Sequence, residues 1–374
     1  MKIEFYKHNL TQDDKDECMK VLDSVFLTTG SVTKEFEIKF ANYISTNYAL
    51  GLTSCTSALF LALKYFDIKA GDEVITVPMS FIASANSIEH CGAKPVFVDV
   101  EPSTGNINCD LIENAITPKT KAIIPVHLYG QMCDMEKIHS IAKKNNLKII
   151  EDACHCIEGS RNGIRPGQLG DAACYSFYAT KNLTSGEGGA ITCNDSLMYD
   201  WLLKARLHGM SKSAADRYTS RYQHYDMELL GYKFNLSNIQ ASLLVHQLTR
   251  LDEYLQRKET IAASYDEGFK KNPNITIPSV LSGTKHARHL YTIWVDPNQR
   301  DKYMHTMQEA GIACAVNFRA IHLMTYYKNK YNYSKGNFPI SETIGDSTIT
   351  IPFYPQLNDT EVEFVIKTIN SIAA

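Results

Sequence analysis

The residues best suited to chemistry lie in three short segments, and each follows an apolar run of the chain. The first segment is TSCTSA at positions 53–58, between a predicted strand and a predicted helix. Small hydroxyl residues at a helix start present free backbone N–H groups, their own hydroxyls and the positive end of the helix dipole, so they suit a phosphate. Serine and threonine also cap helices in every class of protein. For this segment taken alone, capping is the better interpretation.

The second segment is the acidic pair Glu151 and Asp152, which ends the apolar run at positions 147–150. An acid that leaves a buried strand can cap the next element of the fold. It can also pair with a cationic group of a cofactor. The pair alone leaves both interpretations open.

The third segment holds Lys181, which follows YSFYAT at 175–180 and precedes the Gly-rich run NLTSGEGG at 182–189. A lysine beside such a turn is usually a solvated charge. Here it stands between two apolar strands, and the next charged residue is Glu187. The pattern therefore predicts a buried lysine with a lowered pKa, which makes its amine a better nucleophile.

The three segments together are far more specific than any one of them. Pyridoxal phosphate needs a seat for its phosphate, a carboxylate that keeps its pyridine nitrogen protonated, and a lysine that forms a Schiff base with its aldehyde. The chain offers these groups in the order expected of such a site. The sequence therefore predicts a pyridoxal-phosphate enzyme.

The elements that must position these groups alternate between strands and helices from about residue 48 to residue 193. Apolar strands bounded by Gly and Asp and separated by helices predict a mostly parallel sheet that is buried on both faces. Ligands of such sheets bind at the carboxyl ends of the strands. The predicted strands lie at 49–52, 73–77, 95–99, 122–126 and 147–150, with helices near 56–66, 82–89 and 135–144.

Beyond Asn238 the pattern changes to long helical periodicity, and then to a mixture of strands and helices. Predicted strands at 289–295 and 312–317 alternate with predicted helices at 300–309 and 359–372. This suits a smaller α+β domain. We expect a large cofactor-binding domain at 1–250, which includes the N-terminal segment, and the small domain at 251–374.

The overall composition excludes several classes of protein. The 374 residues carry 38 Lys and Arg against 41 Asp and Glu, a net charge of −3, which argues against binding to nucleic acid or to an anionic membrane. No run approaches the ~20 apolar residues of a membrane span, and the N-terminus does not have the pattern of a signal peptide. Ten scattered cysteines then predict free thiols in a cytoplasmic protein. The cluster Cys154-His155-Cys156 does not complete a zinc set, and we expect no metal site.

The sequence resembles the sugar aminotransferases of the DegT/DnrJ/EryC1/StrS family, within the fold type I pyridoxal-phosphate enzymes. The resemblance runs over nearly the whole chain. The matching motifs are TSCTSAL (53–59), GDEVI (71–75), PMSFIASAN (78–86), PVFVD (95–99), EDACH (151–155), SF (176–177) with Lys181, GEGG (186–189) and GYKFNL (231–236).

The resemblance implies a role for several residues of this chain. Lys181 would hold the cofactor as a Schiff base and carry protons, and Asp152 would pair with the pyridinium nitrogen. His155 would lie near the ring hydroxyl, and Phe81 would stack on the pyridine face instead of serving as an ordinary core aromatic. The phosphate would be held by Ser54, Thr56 and Ser176, and by Asn235 acting on the cofactor of the partner subunit in a homodimer with shared sites. Cys55 stands among these cofactor-binding residues where the family usually has Gly or Ala, and we expect its thiol to be tolerated.

The resemblance also implies the reaction. L-Glutamate would give its amino group to the cofactor, which would then aminate a keto sugar linked to a nucleoside diphosphate, for a surface polysaccharide or glycan. Motifs at 231–236 and 317–322 are similar to those of enzymes that act on 4-keto-6-deoxyhexoses or 4-keto-pentoses. The expected substrate contacts are Thr28, Lys233, Arg319 and His322, together with the segment at 208–210 and the basic residues Arg217 and Arg221.

Three alternatives remain open from the sequence. A sugar dehydratase of the same fold would carry histidine in place of the Schiff-base lysine, and a non-catalytic regulatory relative would be expected to lose Lys181 or Asp152. Both residues are present, which favours transamination. Amination at C3 instead of C4 stays possible within the family, and the nucleotide stays open among UDP, dTDP and GDP.

Overall fold

The computed structural model of the protein describes residues 1–212 and 224–373. Its largest feature is a seven-stranded sheet with the strand order β1-β8-β7-β5-β4-β2-β3. The strands are β1 (Tyr48–Leu52), β2 (Glu73–Thr76), β3 (Lys94–Phe97), β4 (Thr120–Ile123), β5 (Lys148–Asp152), β7 (Ala172–Ser176) and β8 (Gly189–Cys193). A short antiparallel pair, β6 (Ser160–Arg161) with β9 (Thr284–Lys285), lies outside this sheet.

The sheet is mostly parallel, as the sequence predicts. The pairs β2–β3, β2–β4, β4–β5 and β5–β7 are parallel, while β8 runs antiparallel to both β7 and β1. Every residue of β7 and β8 is buried, so helices and loops cover both faces there. The polar segments that follow the parallel strands therefore collect at one edge of the sheet.

Helices cover this sheet and extend beyond it, and several of them begin and end where the sequence predicts. They are α1 (Gln12–Leu22), α2 (Ser31–Ile44), α3 (Cys55–Tyr65), α4 (Ala83–His90), α5 (Met135–Lys144), α6 (Ser196–Ala205), α7 (Asn238–Val245), α8 (Gln247–Phe269), α9 (Arg300–Glu309), α10 (Thr325–Tyr331), α11 (Pro339–Ser347) and α12 (Asp359–Ile372). Helix α5 shows the reason. Asp134 caps its first turn, Ile138, Ile141 and Ala142 are buried on one face, and basic residues occupy its last turn.

A second, two-stranded sheet is formed by β10 (Tyr291–Trp294) and β11 (Thr348–Ile351). Its apolar side chains share a buried cluster with α12 and with Ile3 from the N-terminal segment. The division into domains at residue 250 stays a prediction, and in the structure that residue lies within helix α8.

The predicted strand at 312–317 is wrong. Ile312 forms a single bridge with Ile3, and Ala315 forms another with Thr350 of β11. Because the partner segment changes within four residues, no continuous ladder forms, although the alternation of apolar residues resembles that of a strand.

None of the helices within residues 1–212 and 224–373 has both the length and the apolar character needed to cross a bilayer.

Candidate active site

A cavity of about 470 Å³ opens at the carboxyl end of the parallel strands. It receives side chains from the start of α3, from the ends of β5 and β7, and from the segment that precedes β10. The three polar segments singled out in the sequence therefore meet at one place. Of the predicted cofactor residues, those that line the cavity are Ser54, Cys55, Thr56, Phe81, Asp152, His155, Ser176 and Lys181.

The start of helix α3 forms one wall of the cavity. Ser54 is its N-cap, and its hydroxyl accepts a hydrogen bond of 3.0 Å from the backbone N–H of Ser57. Capping and anion binding are thus compatible at this position, because the backbone N–H groups of Cys55 and Thr56 in the first turn have no partner within the helix. Both residues border the cavity. An anion placed there would meet these N–H groups and the positive end of the helix dipole.

Gly189, the first residue of β8, makes this wall possible. A Cβ atom built on Gly189 would overlap the carbonyl carbon of Ser54 and lie 2.5 Å from the amide nitrogen of Cys55. Only a residue without a side chain lets the strand lie this close to the helix start. The Gly-rich run at 186–189 is therefore needed for close packing as well as for turning the chain.

We expect Gly189→Ala to weaken pyridoxal-phosphate binding and to lower stability by about 1–3 kcal/mol, because backbone atoms must move to admit the methyl group. Equilibrium dialysis and thermal unfolding would measure the two effects. Gly163→Ala is the control for a glycine replacement that lowers stability without a clash. Its φ of 80° strains an alanine, but no atom lies within 4 Å of the added Cβ, so cofactor affinity should not change. A Gly189→Ala protein with unchanged cofactor affinity would contradict the packing argument.

The acidic pair at the end of β5 divides into two roles, because successive residues of a strand point to opposite faces. Glu151 is fully buried away from the cavity, where its carboxylate accepts hydrogen bonds from the N–H groups of Gly167 and Gly170 and contacts His127 Nε2 at 2.8 Å. Asp152 lines the cavity. Glu151 therefore serves the interior of the fold, and the pairing of Asp152 with a cationic group of the cofactor stays a prediction that its position allows.

The Asp152 carboxylate is held in place by the residues around it. Its Oδ2 accepts a hydrogen bond of 2.7 Å from the Ser84 hydroxyl, and its Oδ1 accepts one of 3.3 Å from the backbone N–H of Cys154. The Cys55 thiol also lies 3.8 Å from Oδ1. The side-chain hydrogen bond with Cys154, then burial and the charge of Asp152, raise the pKa of the Cys55 thiol well above its usual value. The thiol is therefore a neutral neighbour of the carboxylate.

Flat rings line the same cavity. Phe81 lines the cavity and is 54% exposed, so its ring can be reached by a flat ligand. Phe318 stands 6.0 Å from Phe81 between centroids and is parallel to the His155 ring, at 5.9 Å and 11°. Burial, and secondarily the charge of Lys181, lowers the pKa of His155 well below its usual value, so this imidazole is neutral.

Lys181 lies in the cavity wall just after β7, and its side chain is half-buried. The predicted burial of this lysine is only partial, because the cavity keeps one side of the residue open. Ser176 ends β7, is 8% exposed, and accepts a hydrogen bond from the backbone N–H of Tyr178. Lysine and serine thus reach the cavity from the same strand end.

The structure adds residues to which the sequence analysis gave no chemical role. His289 places its Nε2 atom 3.4 Å from the Lys181 amino group, and Asn317 and Phe318 also border the cavity. The motif at 317–322 did point to this region, but the prediction selected Arg319 and His322 from it. The sequence held one signal for His289: it is a polar, titratable residue at the first position of the predicted strand at 289–295.

The residues predicted to contact the sugar nucleotide are not brought together. Thr28, Lys233 and Arg319 are exposed and do not line the cavity. Arg217 and Arg221 lie outside the described residues.

His322 does not match the predicted contact with substrate. It is fully buried, its Nε2 lies 3.0 Å from a carboxylate oxygen of Glu342, and the rings of Tyr333 and Phe338 pack around it. Because Nε2 of His322 is bonded inside the fold, the presence of a histidine in this motif does not by itself indicate a contact with substrate.

Asn235 also lies outside the cavity of its own chain. Its amide donates a hydrogen bond of 2.6 Å to the Thr29 hydroxyl, next to Thr28. Asn235 and Thr28, predicted from different motifs, therefore belong to one region of the surface.

The cavity suits pyridoxal phosphate by the chemistry of its donor groups. The helix start can hold a phosphate, Asp152 can accept a hydrogen bond from a protonated ring nitrogen, Phe81 offers a ring face, and Lys181 supplies a primary amine. The volume lies in the range of small-molecule sites, roughly 300–1,000 Å³. Fold and site together define a pyridoxal-phosphate-dependent enzyme.

Comparison with known proteins supports this assignment. The sequence model of the DegT/DnrJ/EryC1/StrS aminotransferase family matches residues 8–370. The spore coat polysaccharide biosynthesis protein SpsC of Bacillus subtilis is 39% identical over 98% of this chain and 97% of its own. The GDP-perosamine synthase of Caulobacter vibrioides is 33% identical over 97% of this chain and 96% of its own.

Among solved structures, the PLP form of Spr1654 from Streptococcus pneumoniae, a proposed sugar aminotransferase, superposes with a TM-score of 0.93. It is 32% identical and covers 100% of this chain and 99% of its own. PseC of Helicobacter pylori, an aminotransferase of pseudoaminic acid biosynthesis, gives a TM-score of 0.94 at 28% identity, over 100% and 99% of the two chains. The chain belongs to the DegT/DnrJ/EryC1/StrS aminotransferase family. The predicted class, a pyridoxal-phosphate-dependent sugar aminotransferase, is confirmed.

Proposed function

We propose that the protein transfers an amino group from L-glutamate to the C4 keto group of a nucleotide-linked sugar, a 4-keto-6-deoxyhexose or a 4-keto-pentose. The product would be an amino sugar for a surface polysaccharide or glycan. One observation carries the proposal: an amine, a buried carboxylate and a helix N-terminus, on Lys181, Asp152 and Ser54–Thr56, line a single cavity.

Each of these groups has a distinct task in the proposed reaction. The first turn of α3 and the Ser176 hydroxyl hold the phosphate, and the Asp152 carboxylate keeps the ring nitrogen protonated. When bound, pyridoxal phosphate supplies an aldehyde for amine exchange and a ring that accepts electrons. Lys181 forms the covalent link and moves a proton within the cavity.

The relatives support a sugar nucleotide as the amino acceptor. GDP-perosamine synthases of two organisms are 33% and 34% identical to this chain, and the name of SpsC places that relative in polysaccharide biosynthesis. Such a substrate is large enough to extend from the cavity past the open ring of Phe81. A diphosphate would favour basic groups near the entrance, for which Lys233 and Arg319 are the proposed candidates.

We also propose that two copies of the chain share their sites. Thr28 is exposed, Asn235 is half-buried close to it, and neither lines the cavity of its own chain, which is the position expected of residues that serve the cofactor or substrate of a partner. The division into a cofactor-binding domain at 1–250 and a small domain at 251–374, and a cytoplasmic location, belong to the same proposal.

A panel of nucleotide sugars tests the substrate class. We expect L-glutamate to bleach the visible absorption of the bound cofactor, and a 4-keto sugar nucleotide to restore it, because the two half-reactions run in sequence through one site. UDP-, dTDP- and GDP-linked 4-keto and 3-keto sugars would be compared by absorbance and by mass spectrometry of the product.

The same panel separates the alternatives. If only 3-keto sugar nucleotides restored the absorption, the enzyme would aminate C3 and not C4 of the sugar. Loss of a sugar hydroxyl without gain of an amino group would indicate a dehydratase. If glutamate bleaches the cofactor and no sugar nucleotide restores it, the proposed acceptor class is wrong.

A further inference from the structure

His289 contacts the amino group of Lys181, and the proposed reaction assigns it no task. The distance between Lys181 Nζ and His289 Nε2 is 3.4 Å. A lysine ammonium has three donors and no acceptor, so the contact requires a lone pair on Nε2. In that arrangement the neutral ring carries its proton on Nδ1, which is buried and has no hydrogen-bonding partner among the described residues, and Nε2 is the acceptor that faces the lysine.

The surroundings keep this imidazole neutral. His289 is 5% exposed, and its ring lies 4.3 Å from that of His155 between centroids. Burial, then the charge of Lys181, lower the pKa of His289 well below its usual value, and His155, Lys258 and His286 lie nearby as smaller causes in the same direction. A protonated His289 would repel the lysine cation, whereas the neutral ring can accept its hydrogen bond.

A tight turn at Tyr129 and Gly130 fixes the position of this ring. The backbone of Tyr129 has φ of 58°; its N–H donates to His155 Nδ1 at 3.3 Å and its carbonyl accepts from the N–H of His289 at 3.1 Å. A Cβ on Gly130 would lie 2.9 Å from the backbone nitrogen of Arg288. The turn therefore brings His155 and His289 together and leaves neither segment room to shift.

The lysine has no comparable restraint of its own. Its side chain is half-buried and flexible, and within the described residues His289 Nε2 is the one hydrogen-bonding partner of the Lys181 amino group. An amine that must reach an aldehyde and then a reacting carbon works best when its direction is fixed in advance.

We propose that His289 is a positioning residue for Lys181, with a neutral imidazole whose Nε2 lone pair fixes the direction of the lysine amino group in the cavity. The contact is available to the ammonium form, and loss of one proton then leaves, at the same place, an amine that can attack an aldehyde or accept a proton. This inference rests on the proposed covalent role of Lys181.

The test is the rate at which the protein captures pyridoxal phosphate covalently, measured by borohydride fixation and mass spectrometry. His289→Phe keeps a ring packed against His155 but removes the acceptor, and we expect capture to slow roughly tenfold or more. His289→Gln returns an acceptor at the same distance along the side chain, and we expect a rate within about threefold of the wild type. Thermal unfolding would show whether each variant is folded.

Two further variants make the result unambiguous. His286→Phe changes a buried histidine of the same segment that accepts a hydrogen bond from the Arg288 backbone N–H, and it should leave capture unchanged. Lys181→Ala should abolish fixation at this position, so survival of the link there would overturn the role of Lys181 itself. Wild-type capture by His289→Phe would overturn the inference about His289 alone. An equal loss in the Phe and Gln variants would also overturn it, since packing would then explain both.

Discussion

Lys181→Ala is expected to lower the rate of amino-group transfer by roughly 10⁴-fold, which combines the loss of covalent catalysis with the loss of a positioned proton carrier. Among the described residues that line the cavity, Lys181 is the sole primary amine. Water can replace neither of its functions at the same place. Because the side chain is half-buried and does not belong to an apolar cluster, the fold should survive the change.

The measurement is single-turnover transfer from glutamate, followed by the absorbance of the cofactor. Lys285→Ala is the matched control, since this exposed lysine pairs with Asp252 on the surface and should keep wild-type activity. A Lys181→Ala protein that retains more than a small fraction of the rate would show that another group carries the proton.

Asp152→Asn is expected to lower the same rate by roughly 10²-fold or more, because the cavity loses the negative charge that keeps a ring nitrogen protonated. The amide has the size of the carboxylate and can still accept a hydrogen bond from the Ser84 hydroxyl, now 2.7 Å away. The variant should therefore fold, bind the cofactor and capture it covalently, and fail mainly in the later proton transfer.

Glu151→Gln is the natural comparison, since it changes the neighbouring acid on the opposite face of the same strand. Its carboxylate accepts from two backbone N–H groups and contacts His127 inside the fold, so we expect a loss of about 1–3 kcal/mol in unfolding free energy. The activity of the folded fraction should be nearly unchanged. If both variants lost activity to the same extent, the assignment of separate roles to the two acids would fail.

These two acids show how far the sequence could predict the site. The run at 147–150 predicted a strand, and the end of a parallel strand predicted a ligand. Which acid faces the ligand depends on the register of β5, which pairs with β4 and β7 from distant parts of the chain. The family resemblance supplied that choice, whereas the residues alone left it open.

Local signals predicted helices well and distant contacts poorly. The bounds of α5, α9 and α12 match the predicted segments at 135–144, 300–309 and 359–372, since caps and periodicity lie within each helix. His289 meets Lys181 across 108 positions through a turn at Tyr129, and no local pattern records that meeting. His322 was assigned to the substrate for the same reason: its contact with Glu342, which lies inside the fold, cannot be predicted from the neighbouring sequence.

The reversed strand β8 has a consequence for how the chain folds. In the large sheet β1 has one neighbour, β8, and the register joins Tyr48 to Cys193. During synthesis β1 therefore waits unpaired until all the other strands of that sheet have been made, a long loop closure that should slow folding. Gly189 reaches the start of α3 in the same step. We therefore expect the phosphate seat to be completed late in folding, and the cofactor to stabilise the finished sheet and not its early assembly.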